Sequence, residues 1–210
     1  MPPSGKQPFR LEDFGPFLRT LTEVEDQSVL IGGMAVSAWG EIHLEPAEYA
    51  VFDLPIYSND VDLRGQKATS LLLAQTMAGS GAEIRDTVTA TRKNAPHMGR
   101  VFATSLFWKG RQTSIEVLER LPGLDTGIDD LPVGTPHLTR GGLLLLDPCS
   151  LFICKLHAAN NRPEGEASSD IKHLAILARV IPRFLEKLRA TPVAEYDAKE
   201  DVMRLLRQID

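Results

Sequence analysis

In "LEDFGPFLRTLTEVE" the apolar residues Leu11, Phe14, Phe17, Leu18 and Leu21 recur at helical spacing, which predicts an amphipathic helix that Gly15-Pro16 bends or restarts. "SVLIGG" reads as a short buried strand ending in a turn, and "MAVSAWGEIH" as a helix with Met34, Ala35, Ala38, Trp39 and Ile42 on one side. "LEPAEYAVFDLPIY", punctuated by Pro46 and Pro55, reads as a long connection. "NDVDLRG" alternates polar and apolar residues, the period of a strand. "KATSLLLAQTMAGSGAEI" is a helix stopped by glycines. "GRVFATSLFWKGRQTSIEVLER" predicts a hairpin: Arg100 to Trp108 out, Lys109-Gly110 as the turn, Gln112 to Leu118 back. "LPGLDTGIDDLPVGTPHLTRGG" is loop-rich.

After Pro148 the period changes. "SLFICKLHAANN", "SSDIKHLAILARV", "IPRFLEKLRA" and "AKEDVMRLLRQI" are all helical in pattern. The expected class is α+β: a mixed sheet flanked by helices over residues 1–148, then a helical part over residues 149–210. Residues 1–8 read as a disordered leader.

Composition narrows the setting. Of 210 residues, 43% are hydrophobic and 24% charged, ordinary for a globular protein. The net charge of -5 excludes a wholly basic polyanion binder. Charge is uneven, however. Thr87 to Ile115 carries Arg92, Lys93, Arg100, Lys109 and Arg111 without an acid, and Lys172 to Arg189 holds five cations against Glu186. Such patches hold phosphates or are simply solvated faces. Cys149 and Cys154 fit neither a redox nor a zinc spacing. "MPPSGKQPFR" has no signal-like apolar core, and the apolar run Leu143–Leu146 is too short to span a bilayer. A soluble cytoplasmic protein without membrane partners is expected.

The chemistry starts with Asp60 and Asp62. Side chains alternate across a strand, so both face one way and Val61 and Leu63 the other. Two adjacent carboxylates repel unless a cation lies between them, and magnesium is held through one or two carboxylates plus substrate phosphates. Glu116 in "SIEVL" offers a third carboxylate, clustered with the pair if their strands are neighbours. The bland alternative is two solvated loop aspartates. Gly32-Gly33 fall where strand gives way to helix, where bare backbone and a helix N-terminus suit a phosphate, with Ser37 one turn on as a further donor. The pattern is neither a Rossmann fingerprint nor a P-loop, and a plain tight turn is the alternative.

In this order, Gly32, Gly33, Asp60, Asp62 and Glu116 resemble the nucleotidyltransferase superfamily with the DNA polymerase beta-like fold. "CKLHAANNRPEGEASSDIKHLAIL" is similar to its abortive-infection toxin branch (AbiEii-type), where a helix with a lysine and an arginine leads to a helix with an aspartate. Lys155, Arg162 and Asp170 stand at those positions. "DPCSLFICKLHA" is similar to the lead-in found there. The stretch from Gly33 to Asp60 is longer than in compact members, with "EPAEYAVFDLP" as the insertion.

The resemblance implies transfer of a nucleoside monophosphate from an NTP to an acceptor hydroxyl. It implies two magnesium ions on Asp60, Asp62 and Glu116, and donor phosphates held by Gly32, Gly33, Ser37 and Lys155. It also implies a tRNA acceptor and an antitoxin partner. Taken by chemistry alone, Lys155 is a point charge for a phosphate or a surface lysine, and Asp170 pairs with it, orients a hydroxyl or serves a helix start. Antibiotic-modifying members of the superfamily point to a small-molecule acceptor instead. A non-catalytic nucleotide sensor on the same fold is a third reading. The histidines show no metal-ligand spacing; His157 and His173 line the groove of Lys155 and Asp170 or fill a helix–helix contact.

Overall fold

A computed structural model describes residues 9–23, 28–52, 54, 56, 58, 60–91, 100–124, 144–162 and 168–190. In chain order the elements are α1 (Leu11–Glu23), β1 (Val29–Leu30), α2 (Gly32–His43), α3 (Pro46–Phe52), β2 (Asp60–Arg64), α4 (Lys67–Gly79) and β3 (Glu83–Thr91). They continue with β4 (Arg100–Trp108), β5 (Arg111–Leu118), α5 (Pro148–Asn161) and α6 (Ser168–Ala190). The class is α+β, with a helical C-terminal part beginning at Pro148.

The five strands form one mixed sheet in the order β1-β2-β5-β4-β3. β2 runs parallel to β5, and the other neighbours are antiparallel. The β4–β5 hairpin turns at Lys109-Gly110, both with positive φ (46° and 75°), as a tight two-residue turn requires. Residues 144–146 extend the sheet beside β1: Leu30 donates to the Leu144 carbonyl (2.8 Å), and Leu146 donates to that of Leu30 (3.0 Å). Asp147 then caps α5, its Oδ1 accepting from the backbone of Cys149 and Ser150, both at 2.9 Å.

Two helical layers lie against this sheet. α4 packs on β3, β4 and β5, and α1 packs on α4. Ser70 of α4 meets Thr104 of β4 at 3.0 Å, which marks the face holding Val61, Leu63, Ile115 and Val117 as the covered one. The second layer is α2, α5 and α6, packed on one another, with α2 touching β2. Trp39 anchors it: its indole N–H donates to the Leu146 carbonyl (2.7 Å), and its ring meets Phe184 of α6 edge-on. At the hairpin tip, Trp108 collects Phe9, Phe14 and Phe17, with the Lys109 ammonium 4.3 Å above its ring. Buried apolar side chains form one continuous core from Phe9 to Leu188.

The structure departs from the sequence-based expectations in four places. α1 runs unbroken through Gly15 and Pro16. The expected long connection contains a helix, α3, because Pro46 occupies its first position, where a missing N–H costs nothing. "GAEIRDTVTAT" supplies an unforeseen edge strand, β3. The two expected segments around Pro182 are one helix, α6. The leader at residues 1–8, the loop-rich stretch over 125–143 and the helix expected in "AKEDVMRLLRQI" lie outside the described residues. Cys149 and Cys154 are free and buried, and burial pushes the Cys154 thiol up to about 12. Among the described residues, no helix is long and apolar enough to cross a membrane.

Candidate active site

β2 alternates as its sequence dictates. Val61 and Leu63 are buried, while Asp60 is exposed and Asp62 half-buried on the opposite face. The parallel register sets Asp60 beside Ser114 and Asp62 beside Glu116. The three carboxylates therefore share one face of two hydrogen-bonded strands. The Ser114 hydroxyl donates to Asp60 Oδ1 at 2.5 Å, holding that carboxylate and leaving Oδ2 for another partner.

Gly32 brings the helix start to these carboxylates. Its φ is +70°, a conformation that favours glycine, and a Cβ there would lie 2.0 Å from Asp62 Oδ2 and 2.8 Å from Asp62 Cβ. The Ile31 N–H donates to the Asp62 carbonyl (2.9 Å) and fixes the approach. Ile31 gives α2 no side-chain cap. The positive end of the α2 dipole thus lies beside a carboxylate-bearing strand.

Gly33 faces the helical part. A Cβ on it would meet His173 Cε1 at 3.2 Å and Nε2 at 3.4 Å. One turn of α6 back from His173 lies Asp170, 1% exposed. Lys155 Nζ reaches its Oδ1 at 3.1 Å, and Arg162 Nε reaches its Oδ2 at 2.8 Å. The glycine pair therefore joins the two clusters, with Asp62 against Gly32 and His173 with its Asp170 neighbour against Gly33.

Ser37 does not belong to the outward-facing set. It is 2% exposed, accepts from the Ile56 N–H (2.9 Å) and donates to Glu41 Oε1 (3.3 Å). Its hydroxyl pins the segment entering β2. His157 packs at Gly123, its Cβ 2.9 Å from where a side chain there would begin.

Ser114 escaped sequence reasoning, and so did the contact that His173 makes with Gly33. Ser114 stands two residues before Glu116, so strand period alone puts it on the same face. His173 stands three after Asp170, a helical neighbour, but its contact with Gly33 is tertiary and has no sequence signal. Of the α6 cations, Arg183 is committed to α3 and α2, donating to Glu48 Oε2 (2.6 Å) and the His43 carbonyl (2.9 Å).

The donor set is all oxygen, the chemistry magnesium takes. Among the described residues no group of three or more His, Cys, Asp or Glu side chains is placed to hold a metal ion. Magnesium needs none, because waters and substrate phosphates complete its shell. No protein-family model matches the chain, and no curated protein matches it.

Proposed function

We propose that this protein is a metal-dependent nucleotidyltransferase that moves a nucleoside monophosphate from an NTP to an acceptor hydroxyl. The observation that carries the reading is the fit of Gly32 against Asp62, with Glu116 beside Asp62 in register. A helix start favourable to phosphate and a set of carboxylates favourable to a divalent ion are thereby adjacent. Asp60, Asp62 and Glu116 would hold magnesium. Bound there, the ion neutralises phosphate charge and activates an acceptor oxygen. Gly32 and Gly33 offer backbone to the donor phosphates. Lys155, held by Asp170, supplies positive charge on the helical side. Positioning and charge neutralisation carry most of such a reaction.

An RNA acceptor of the tRNA class is the first reading, within a toxin that an antitoxin protein restrains. Arg179, Lys187 and Arg189 are exposed on α6 and suit a phosphate backbone. A small cationic acceptor of the antibiotic type is the second, favoured by the net charge of -5. The test is transfer from each α-labelled NTP to bulk tRNA in magnesium, with the Asp60→Ala/Asp62→Ala double variant beside it. Label reaching tRNA only in the wild type supports the first reading. Label reaching an aminoglycoside but not tRNA supports the second. Neither transfer nor NTP binding would sink both.

A further inference from the structure

α6 carries two apolar faces. One runs through Leu177, Val180, Phe184 and Leu188 and is buried, with α2 and α5 packed against the helix. The other runs through Ile171, Ala175, Ala178 and Pro182, all exposed, Ile171 at 60%. Leu174, Ile181 and Leu185, half-buried, lie on the same side. At the helical turn per residue these positions fill a sector of about 120°, and from Ile171 to Leu185 every residue in that sector is apolar. Lys172, Arg179 and Glu186 take the third side. A helix packed by one stripe needs only that stripe to be apolar, with polar residues elsewhere. The second stripe is four turns long, and among the described residues its central members stay exposed.

We propose that the chain's own segment from Asp197 to Ile209 docks on this stripe as a helix antiparallel to α6. Residues 191–210 lie outside the described residues, and their sequence is what chooses them as the occupant. Ala198, Val202, Leu205, Leu206 and Ile209 recur at helical spacing on one side. Asp197 with Glu200 three residues later is a helix-start signature, and Pro192 follows the end of α6 as a stop signal. Length fixes the direction. The connection from Ala190 to Asp197 spans at most about 25 Å, whereas α6, at 23 residues, is about 35 Å long. The chain can therefore turn back beside α6 but cannot return to its start and run parallel. The apolar side from Ala198 to Ile209 is about 17 Å long, and the stripe from Ile171 to Leu185 about 21 Å. Charge agrees with that direction. Glu195, Asp197, Glu200 and Asp201 lie at the start of the segment, which the antiparallel course brings to the end of α6 that bears Lys187 and Arg189.

Ala178→Cys puts a thiol at the centre of the stripe, while Cys149 and Cys154 are buried and slow to react. Modification of the introduced thiol by iodoacetamide is timed in the full chain, with and without Val202→Asp/Leu205→Asp. The double substitution is expected to speed it about tenfold, the ratio that a docking free energy of about 1.4 kcal/mol sets. In the wild type, backbone amides from Val202 to Ile209 should exchange slowly with deuterium, and Ala178→Glu should release them. Light scattering should give the mass of one chain. Equal thiol rates in the two backgrounds, or fast exchange over 202–209 in the wild type, would overturn the proposal. Slow exchange that survives Ala178→Glu would do so too, since the segment would then be packed elsewhere. Protection that fades on dilution from a two-chain mass would give the stripe to a second copy instead. If Ala178→Glu fails to fold, the thiol rates decide, because Val202→Asp/Leu205→Asp leaves α6 unaltered.

Discussion

Asp62 and Glu116 stand half-buried and side by side on one face of β2 and β5, whereas Asp170 is enclosed between Lys155 and Arg162 at 1% exposure. Like charges opposite one another across two strands weaken a sheet. A buried carboxylate held by two cations is the opposite case: assembling it gains little, but breaking it leaves charges stranded. The first cluster lies across two neighbouring strands, and the second is built into the helical packing.

Replacing one member of each cluster tests that contrast. Asp62→Asn is expected to lower magnesium-dependent transfer by about a hundredfold or more, the scale of losing one group that organises transition-state charge. Its melting temperature should equal or exceed that of the wild type. A cooperative drop in melting temperature would remove the distinction between the clusters. Asp170→Asn should do the reverse first, destabilising by about 3 kcal/mol, or roughly 6–12 °C in thermal melts.

Gly32→Ala strikes the junction of the two. Its positive φ and the Asp62 carboxylate in its way set a cost of about 2 kcal/mol, and transfer should fall with it because Asp62 must shift. Unchanged melting and activity in that variant would mean the turn and Asp62 are not coupled.

Acid should separate the clusters further. Burial, then the neighbouring Lys155, holds His173 down to about 4 from its ordinary 6.5. The unfolded chain therefore takes up that proton first. The stability His173 contributes is complete above pH 6.5 and is lost as pH falls toward 4, amounting to about 2 kcal/mol between pH 7 and pH 5. Denaturant melts at the two pH values, with His173→Gln showing less of the loss, check the sign. The smallest effect is a control: Gly79, at the end of α4 with nothing within 4 Å of a Cβ and no positive φ, should accept alanine with a gain of up to about 1 kcal/mol.

Period carried most of the fold into view. β2, the β4–β5 hairpin and α4 were legible because one face of each is buried and the other is not. β3 was not, since it is an edge strand with Glu83 to Thr89 exposed on both sides, leaving no core-facing alternation to read. α3 was hidden by Pro46, which punctuates a loop and opens a helix equally well. The shared face of Asp60 and Asp62 was readable from strand period, whereas Lys155, Arg162 and Asp170, which the structure brings together, were picked out by the resemblance. The parallel pairing of β2 with β5, which puts Glu116 beside Asp62, joins residues 54 apart, and local sequence holds no record of it. The bond that buries the Ser37 hydroxyl was hidden for a related reason. Helical position gave its height above the turn, but not that Ile56 would claim it.

The two tryptophans divide the protein optically. Trp39 lies sealed between α2, α6 and the Leu146 carbonyl, and Trp108 lies in an aromatic nest beneath Lys109. Each is a built-in fluorophore for one side of the molecule, with no label attached. Trp108→Phe leaves an emitter that reports only on the packing of α2 against α6, and Trp39→Phe leaves one that watches only α1 and the hairpin tip. Emission from the two single-tryptophan proteins, followed through one denaturant titration, would show whether the sheet and the helical layer come apart together.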